Sequence, residues 1–201
     1  MSKLAATNAP PSAAAFLRAS TAMSHQRLEK RLNVKVRFRE LAHYRAHLER
    51  MWGFVAAIEE KLQGDAFDGA LADFEARRKL PLLTRDLLAL GSERESIELL
   101  PRPTTPSCAP PAAAFGCAYV LEGSTLGGRT MLPMVGEYLG FTADHGAAFL
   151  ASYREHTPAM WKSFCAALEF YCSTPERRSS AAQAATATFE SLGAWMSITP
   201  A

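Results

Sequence analysis

An all-α fold in a single domain is what the residue mix dictates, since the chain carries 36 Ala and 23 Leu against 5 Val and 3 Ile. Ala and Leu lose little entropy in a helix, whereas β-branched residues favour strands. Long stretches with apolar residues spaced alternately by three and four positions say the same. The 201 residues, 48% hydrophobic and 21% charged, suit one domain able to hide roughly 70% of its unfolded surface. A net charge of +2 argues against the clustered basic face of a nucleic-acid binder. No segment offers the run of about 18 apolar residues that a membrane span needs. Pro10-Pro11 interrupts the Ala-rich start, so no targeting segment is expected and the cytoplasm is the expected location.

The elements follow in order. Residues 1–11 read as a flexible N-terminus, and 12–198 as the domain. Ser12 is placed to cap a first helix carrying Phe16, Leu17, Thr21, Leu28 and Leu32, which ends near Asn33. A second runs from Phe38 to Leu62 on the stripe Leu41, Tyr44, Leu48, Met51, Val55, Ile58 and Leu62. Gly64 to Gly69 breaks the pattern, and a short helix at Leu82–Leu90 stops at Gly91. Five prolines within 101–111 predict an extended connector. The next helix, Ala112 to Leu139, contains Gly123, Gly127, Gly128, Pro133 and Gly136 and is expected to bend. Further helices are expected at Asp144–His156, Pro158–Tyr171 and Pro175–Met196.

Two constellations carry chemistry. With Leu17 at zero on a helical wheel, His25 falls at about 80°, at the edge of the inward face. Glu29, one turn on, reaches one imidazole nitrogen, which would fix the tautomer and leave the other free for a metal. Arg18 shares that flank about 10 Å along the axis. A core-edge histidine with a surface ion pair is the competing reading. The second constellation is Tyr119-Val-Leu-Glu-Gly123-Ser-Thr-Leu-Gly127-Gly128. Glycine inside a helix costs about 1 kcal/mol relative to Ala, so three in six positions need a compensating gain. Either another body approaches the backbone there, or Gly123-x-x-x-Gly127 packs against a second helix. A phosphate loop fits poorly, because no G-K-[ST] follows and no strand precedes.

Together these motifs resemble the bacterial biliverdin-producing heme oxygenases. The likeness rests on Phe16-Leu-Arg18-x-x-Thr21-x-x-x-His25-x-x-Leu28-Glu29, on Tyr119 to Gly128, and more weakly on Trp161-x-x-Phe164 with Leu168-Glu169. The resemblance implies a heme-oxygenase-like helical bundle that cleaves heme, with O₂ and electrons, to biliverdin, CO and Fe²⁺. Heme would be both substrate and cofactor. His25 would be the proximal metal ligand and Glu29 its acceptor, with Arg18 and Tyr119 on the propionates and Arg154 as a further propionate contact. Gly123, Ser124, Gly127 and Gly128 would line the distal, catalytic side. Mammalian-type members carry an Asp after the first distal glycine, where this chain has Ser124, so its proton-delivery network must differ. No flavin or iron–sulfur motif is present, which implies an external electron donor such as a ferredoxin or a flavoprotein reductase. A bilin acceptor protein is a possible partner. A non-catalytic heme sensor or carrier, a thiaminase-like enzyme and a plain helical interaction protein are the alternatives.

His43 and His47 form an i, i+4 pair at about 200° and 240° from Leu41, opposite the apolar stripe, and are expected to face solvent. Cys108, Cys117, Cys165 and Cys172 include no C-x-x-C pair, so a zinc site is not expected. They read as small buried apolar residues in a reducing compartment.

Overall fold

In the computed structural model, residues 11–197 are described. The expected flexible segment falls, apart from Pro11, outside them, as does residue 198. Ten α-helices follow one another among the described residues: α1 Ala13–Leu32, α2 Val34–Arg37, α3 Leu41–Glu59, α4 Phe74–Arg77, α5 Leu80–Ala89, α6 Arg94–Glu98, α7 Pro111–Leu139, α8 Ala148–Ala151, α9 Thr157–Tyr171 and α10 Pro175–Ser197. Isolated bridges from Thr142 to His145 and Gly146 are the nearest approach to a sheet. No described helix is long and apolar enough to cross a membrane.

The sequence-derived boundaries of α1 hold. Ser12 Oγ accepts from Ala15 N at 3.2 Å, and Asn33 stops the helix in the left-handed region at φ 38°. One expectation fails. Asp144–His156 is not one helix but a tight turn, the single helical turn α8 and a 3₁₀ turn at Arg154–His156. Positive φ at Gly146, Ser152 and Arg154 breaks the helical path three times.

Helix α10 holds the bundle together, packing along both α1 and α7, while α3 lies against α5 and α8 covers α7. The approach of α10 to α7 is close because Gly116 has no side chain: a Cβ there would lie 2.1 Å from Ala181 O. Helix α9 runs antiparallel to its neighbours. Its late residue Glu169 accepts from Ala13 N at the start of α1. Phe115 stacks on Tyr171 of α9, whereas Tyr119, a turn later in α7, meets the early Trp161. Helices α1 and α7 therefore run in the same direction, each opposed to α9.

Ionisable side chains are buried on the α3–α5–α8 side. Glu122 of α7 accepts from Arg77 Nη1 at 2.9 Å, from Lys79 Nζ at 2.6 Å and from Tyr153 Oη at 2.7 Å. Glu59 accepts from Arg78 Nε at 3.2 Å and from the backbone of Lys79. Asp86, fully buried, caps α8 by accepting from Ala148 N and Phe149 N at 2.7 and 2.8 Å. Each charge is paired or hydrogen-bonded, as burial demands.

His47 corrects a second expectation. His43 is exposed beside Glu40, but His47 is only 4% exposed. Phe38 packs on its ring at 4.9 Å between centroids, and Nδ1 has no hydrogen-bond partner. The chain around α2 folds back over α3, which a wheel drawn on α3 alone does not register.

Candidate active site

The site is built where α1 and α7 come level. Tyr119 is buried, and Thr21 and Arg18 of α1 lie close enough to bear on its ionisation. Burial raises the Tyr119 pKa most, with Cys165 adding to it, and Thr21 and Arg18 act the other way. Tyr119 thus remains a neutral hydroxyl beside a cationic side chain. Because the helices run in parallel, the next turn of α1 and the next turn of α7 share a level. Those turns carry His25 and Gly123.

His25 is presented rather than buried. Its side chain is 53% exposed, and Glu29 Oε2 lies 3.7 Å from Nδ1. The opposite wall of the ring is Phe189 of α10, edge-on at 5.4 Å and 87°. The imidazole is thus steadied by an aromatic neighbour and a carboxylate, with Nε2 left to meet a ligand. Phe189 was not legible as a site residue, because nothing within α10 marks it out from other core aromatics.

The glycines of α7 divide in two. A Cβ on Gly123 would meet nothing within 4 Å, and one on Gly127 would touch only the Met131 methyl at 3.8 Å. Neither packs against another helix, so the helix-packing alternative for this pair is excluded. Gly128 faces elsewhere: a Cβ there would sit 2.5 Å from Leu150 O, so this glycine lets α8 approach. It does not share the open side with Gly123 and Gly127, contrary to the sequence expectation. Ser124 is half-buried, and its hydroxyl donates to Leu121 O at 2.7 Å.

Arg18 and Glu29 are exposed on the flank that carries His25. Arg154 is not brought to this group. Its guanidinium pairs with Asp144, which also faces Arg85 of α5. The arginine expected at the ligand's edge is thus engaged with Asp144. Among the described residues no three His, Cys, Asp or Glu side chains cluster as metal ligands. Iron held here would take one protein ligand, His25, and rely on a macrocycle for the rest, which suits a heme and not a bare ion.

Comparisons with known proteins place the chain in a family. The heme oxygenase family model matches residues 12–197. A heme oxygenase of Xanthomonas campestris pv. campestris (strain 8004) is 30% identical over 149 residues, 73% of this chain and 84% of that protein. Among solved structures, the NO- and CO-bound heme oxygenase of Neisseria meningitidis superposes with a TM-score of 0.79 at 23% identity, covering 93% of this chain and 91% of that one. The heme oxygenase of Leptospira interrogans gives 0.77 at 18% identity, covering 93% and 99%. The chain belongs to the heme oxygenase family.

Proposed function

We propose that this protein cleaves heme oxidatively to biliverdin, CO and Fe²⁺, using O₂ and electrons from an external donor such as a ferredoxin or a flavoprotein reductase. The observation that carries the reading is the level pairing of a presented imidazole, His25, with the side-chain-free surface at Gly123 and Gly127. Family membership supports the substrate class.

Heme, when bound, supplies the iron at which O₂ is reduced and is itself the carbon skeleton that is cut. The protein's part is positional. His25 Nε2 would hold the iron from the α1 side as a neutral imidazole, with Glu29 accepting at Nδ1–H. Arg18 would pair with a propionate, and the neutral Tyr119 hydroxyl would donate to one, which sets the rotation of the ring in the slot. Gly123 and Gly127 would leave room over the opposite face, where a bulkier side chain would stand. Ser124 holds its proton on Leu121 O, so its oxygen is an acceptor for an ordered water, and water would bring the protons.

That same committed hydroxyl favours a second reading, a heme sensor or carrier on the same fold. Turnover separates the two. The hemin complex, given O₂ and a reductant, is expected to lose its Soret band and release biliverdin and CO. Intact heme recovered after exposure to both would establish the carrier and reject the oxygenase.

A further inference from the structure

The outward side of α1 lacks the charges that a solvated helix face carries. Ala15, Ala19, Ala22, Met23 and Gln26 are all exposed, Met23 to 61%. On a wheel with His25 at zero they fall between about 60° and 160°, a continuous strip roughly 16 Å long. Helix α10 packs on the other side of α1, where the buried Ser24 donates to Glu190 at 3.4 Å and Leu28 lies over Gly193. The strip is therefore not part of the bundle's own packing.

Cations rim this strip. Arg27, Lys30 and Arg31 stand at its C-terminal end, and Arg18 borders it on the side of the slot. Glu29, beside His25, is the one acid of α1. Among the described residues no carboxylate pairs with Arg27 or Lys30. The bias extends through the start of the chain: residues 1–50 hold 10 of the 22 Lys and Arg but only 3 of the 20 Asp and Glu. A net charge of +2 overall is thus +7 there and −5 in the remainder, an asymmetry that marks a surface for an oppositely charged partner.

We propose that the outward side of α1 is the docking surface for a small acidic electron-transfer protein. An uncharged centre inside a charged rim is the anatomy of a protein interface, and the sign of the rim calls for an acidic partner. A second copy of the chain would set like charges face to face. A bilayer takes up large apolar side chains, and the strip offers it only Met23. The adjoining face of the same helix carries His25, so a protein seated on the strip lies within about 10–12 Å, one helix width, of what His25 holds. This docking role rests on the oxygenase reading above and gives its electrons a route. In each encounter the reduced partner gives up one electron and leaves oxidised, and ferric heme on His25 becomes ferrous. The rim steers the partner to the helix, and the strip supplies the dry contact.

The test titrates a plant-type [2Fe–2S] ferredoxin, an acidic one-electron carrier, into the full heme-free chain at low salt, followed by calorimetry and amide hydrogen exchange. Exchange is expected to slow along residues 15–30, and added salt to weaken binding. Affinity should fall about ten-fold in Met23→Asp and in the double variant Arg27→Glu/Lys30→Glu. These side chains are exposed, so both variants should fold. In the hemin complex the same variants should slow reduction by ferredoxin by a similar factor, while dithionite, too small to need a docking surface, reduces them at the unmodified rate. No ferredoxin binding, protection confined to another face, or equal affinity for the variants overturns the proposal. Adsorption to phosphatidylglycerol vesicles in place of ferredoxin binding makes the strip a membrane face and overturns it as well. Ferredoxin bound on α1 of a chain that leaves heme intact rejects the oxygenase reading and keeps the surface, whereas heme cleaved with ascorbate by a chain that binds no ferredoxin does the reverse.

Discussion

The two sides of α7 put the same residue types to opposite uses. Toward α5 and α8 the helix is packed closely, with Gly128 against the Leu150 backbone and Glu122 shared between two buried cations. Toward the level of His25, Gly123 and Gly127 border space. A glycine in a helix is thus not by itself a ligand signal. What separates the two kinds is whether an added Cβ meets protein. The packed side fixes the helix so that the open side keeps its place.

The largest expected effect is on the packed side. Glu122→Ala leaves Arg77 and Lys79 buried without their shared carboxylate, and should cost about 3–5 kcal/mol in urea unfolding. Gly128→Val drives a side chain into the Leu150 backbone and should cost about 1–3 kcal/mol in the same measurement. A neutral result for either would mean that the packed side gives way, and the contrast between the sides would blur.

His47 sharpens the picture through pH. Burial, with the Arg37 charge adding, lowers its pKa from 6.5 to about 3. The unfolded chain takes up this proton near pH 6.5 and the native state does not. Stability should therefore fall as the pH drops through that window, by up to about 1.4 kcal/mol per pH unit from this group. His47→Leu is expected to flatten the stability–pH curve between pH 6.5 and 5, as read by thermal melts. An unchanged slope would show that the ring is hydrated in solution.

The smallest effect has the opposite sign. Gly123→Ala meets nothing and removes a helix-interior glycine, so the heme-free protein should gain about 0.5–1 kcal/mol. The same methyl should slow heme turnover, because it enters the space the substrate needs. Faster or unchanged turnover with the added stability would place the substrate elsewhere.

Local rules carried the sequence reading a long way. Ser12, Asn33 and the apolar stripes located the long helices, since caps and periodicity act over a few residues. The His25–Glu29 pair and the glycine run were visible for the same reason. What stayed hidden depends on residues distant in the chain. Glu122 meets Arg77 across 45 positions, and neither end reveals the other. Gly128 could not be told from Gly127 until Leu150 was in place. His47 lies off the apolar stripe of α3 and is buried by Phe38, and Arg154 is claimed by Asp144. Each is a tertiary contact overriding a helical wheel.

If His25 is the heme ligand, chemical rescue shows it directly. Hemin is titrated into the unmodified protein and into His25→Ala, and absorption spectra are recorded before and after imidazole is added. A histidine-type Soret band is expected for the unmodified protein, with its loss in His25→Ala and its return with imidazole. A His25→Ala complex whose spectrum matches the unmodified protein without imidazole would show that the iron is held by another residue.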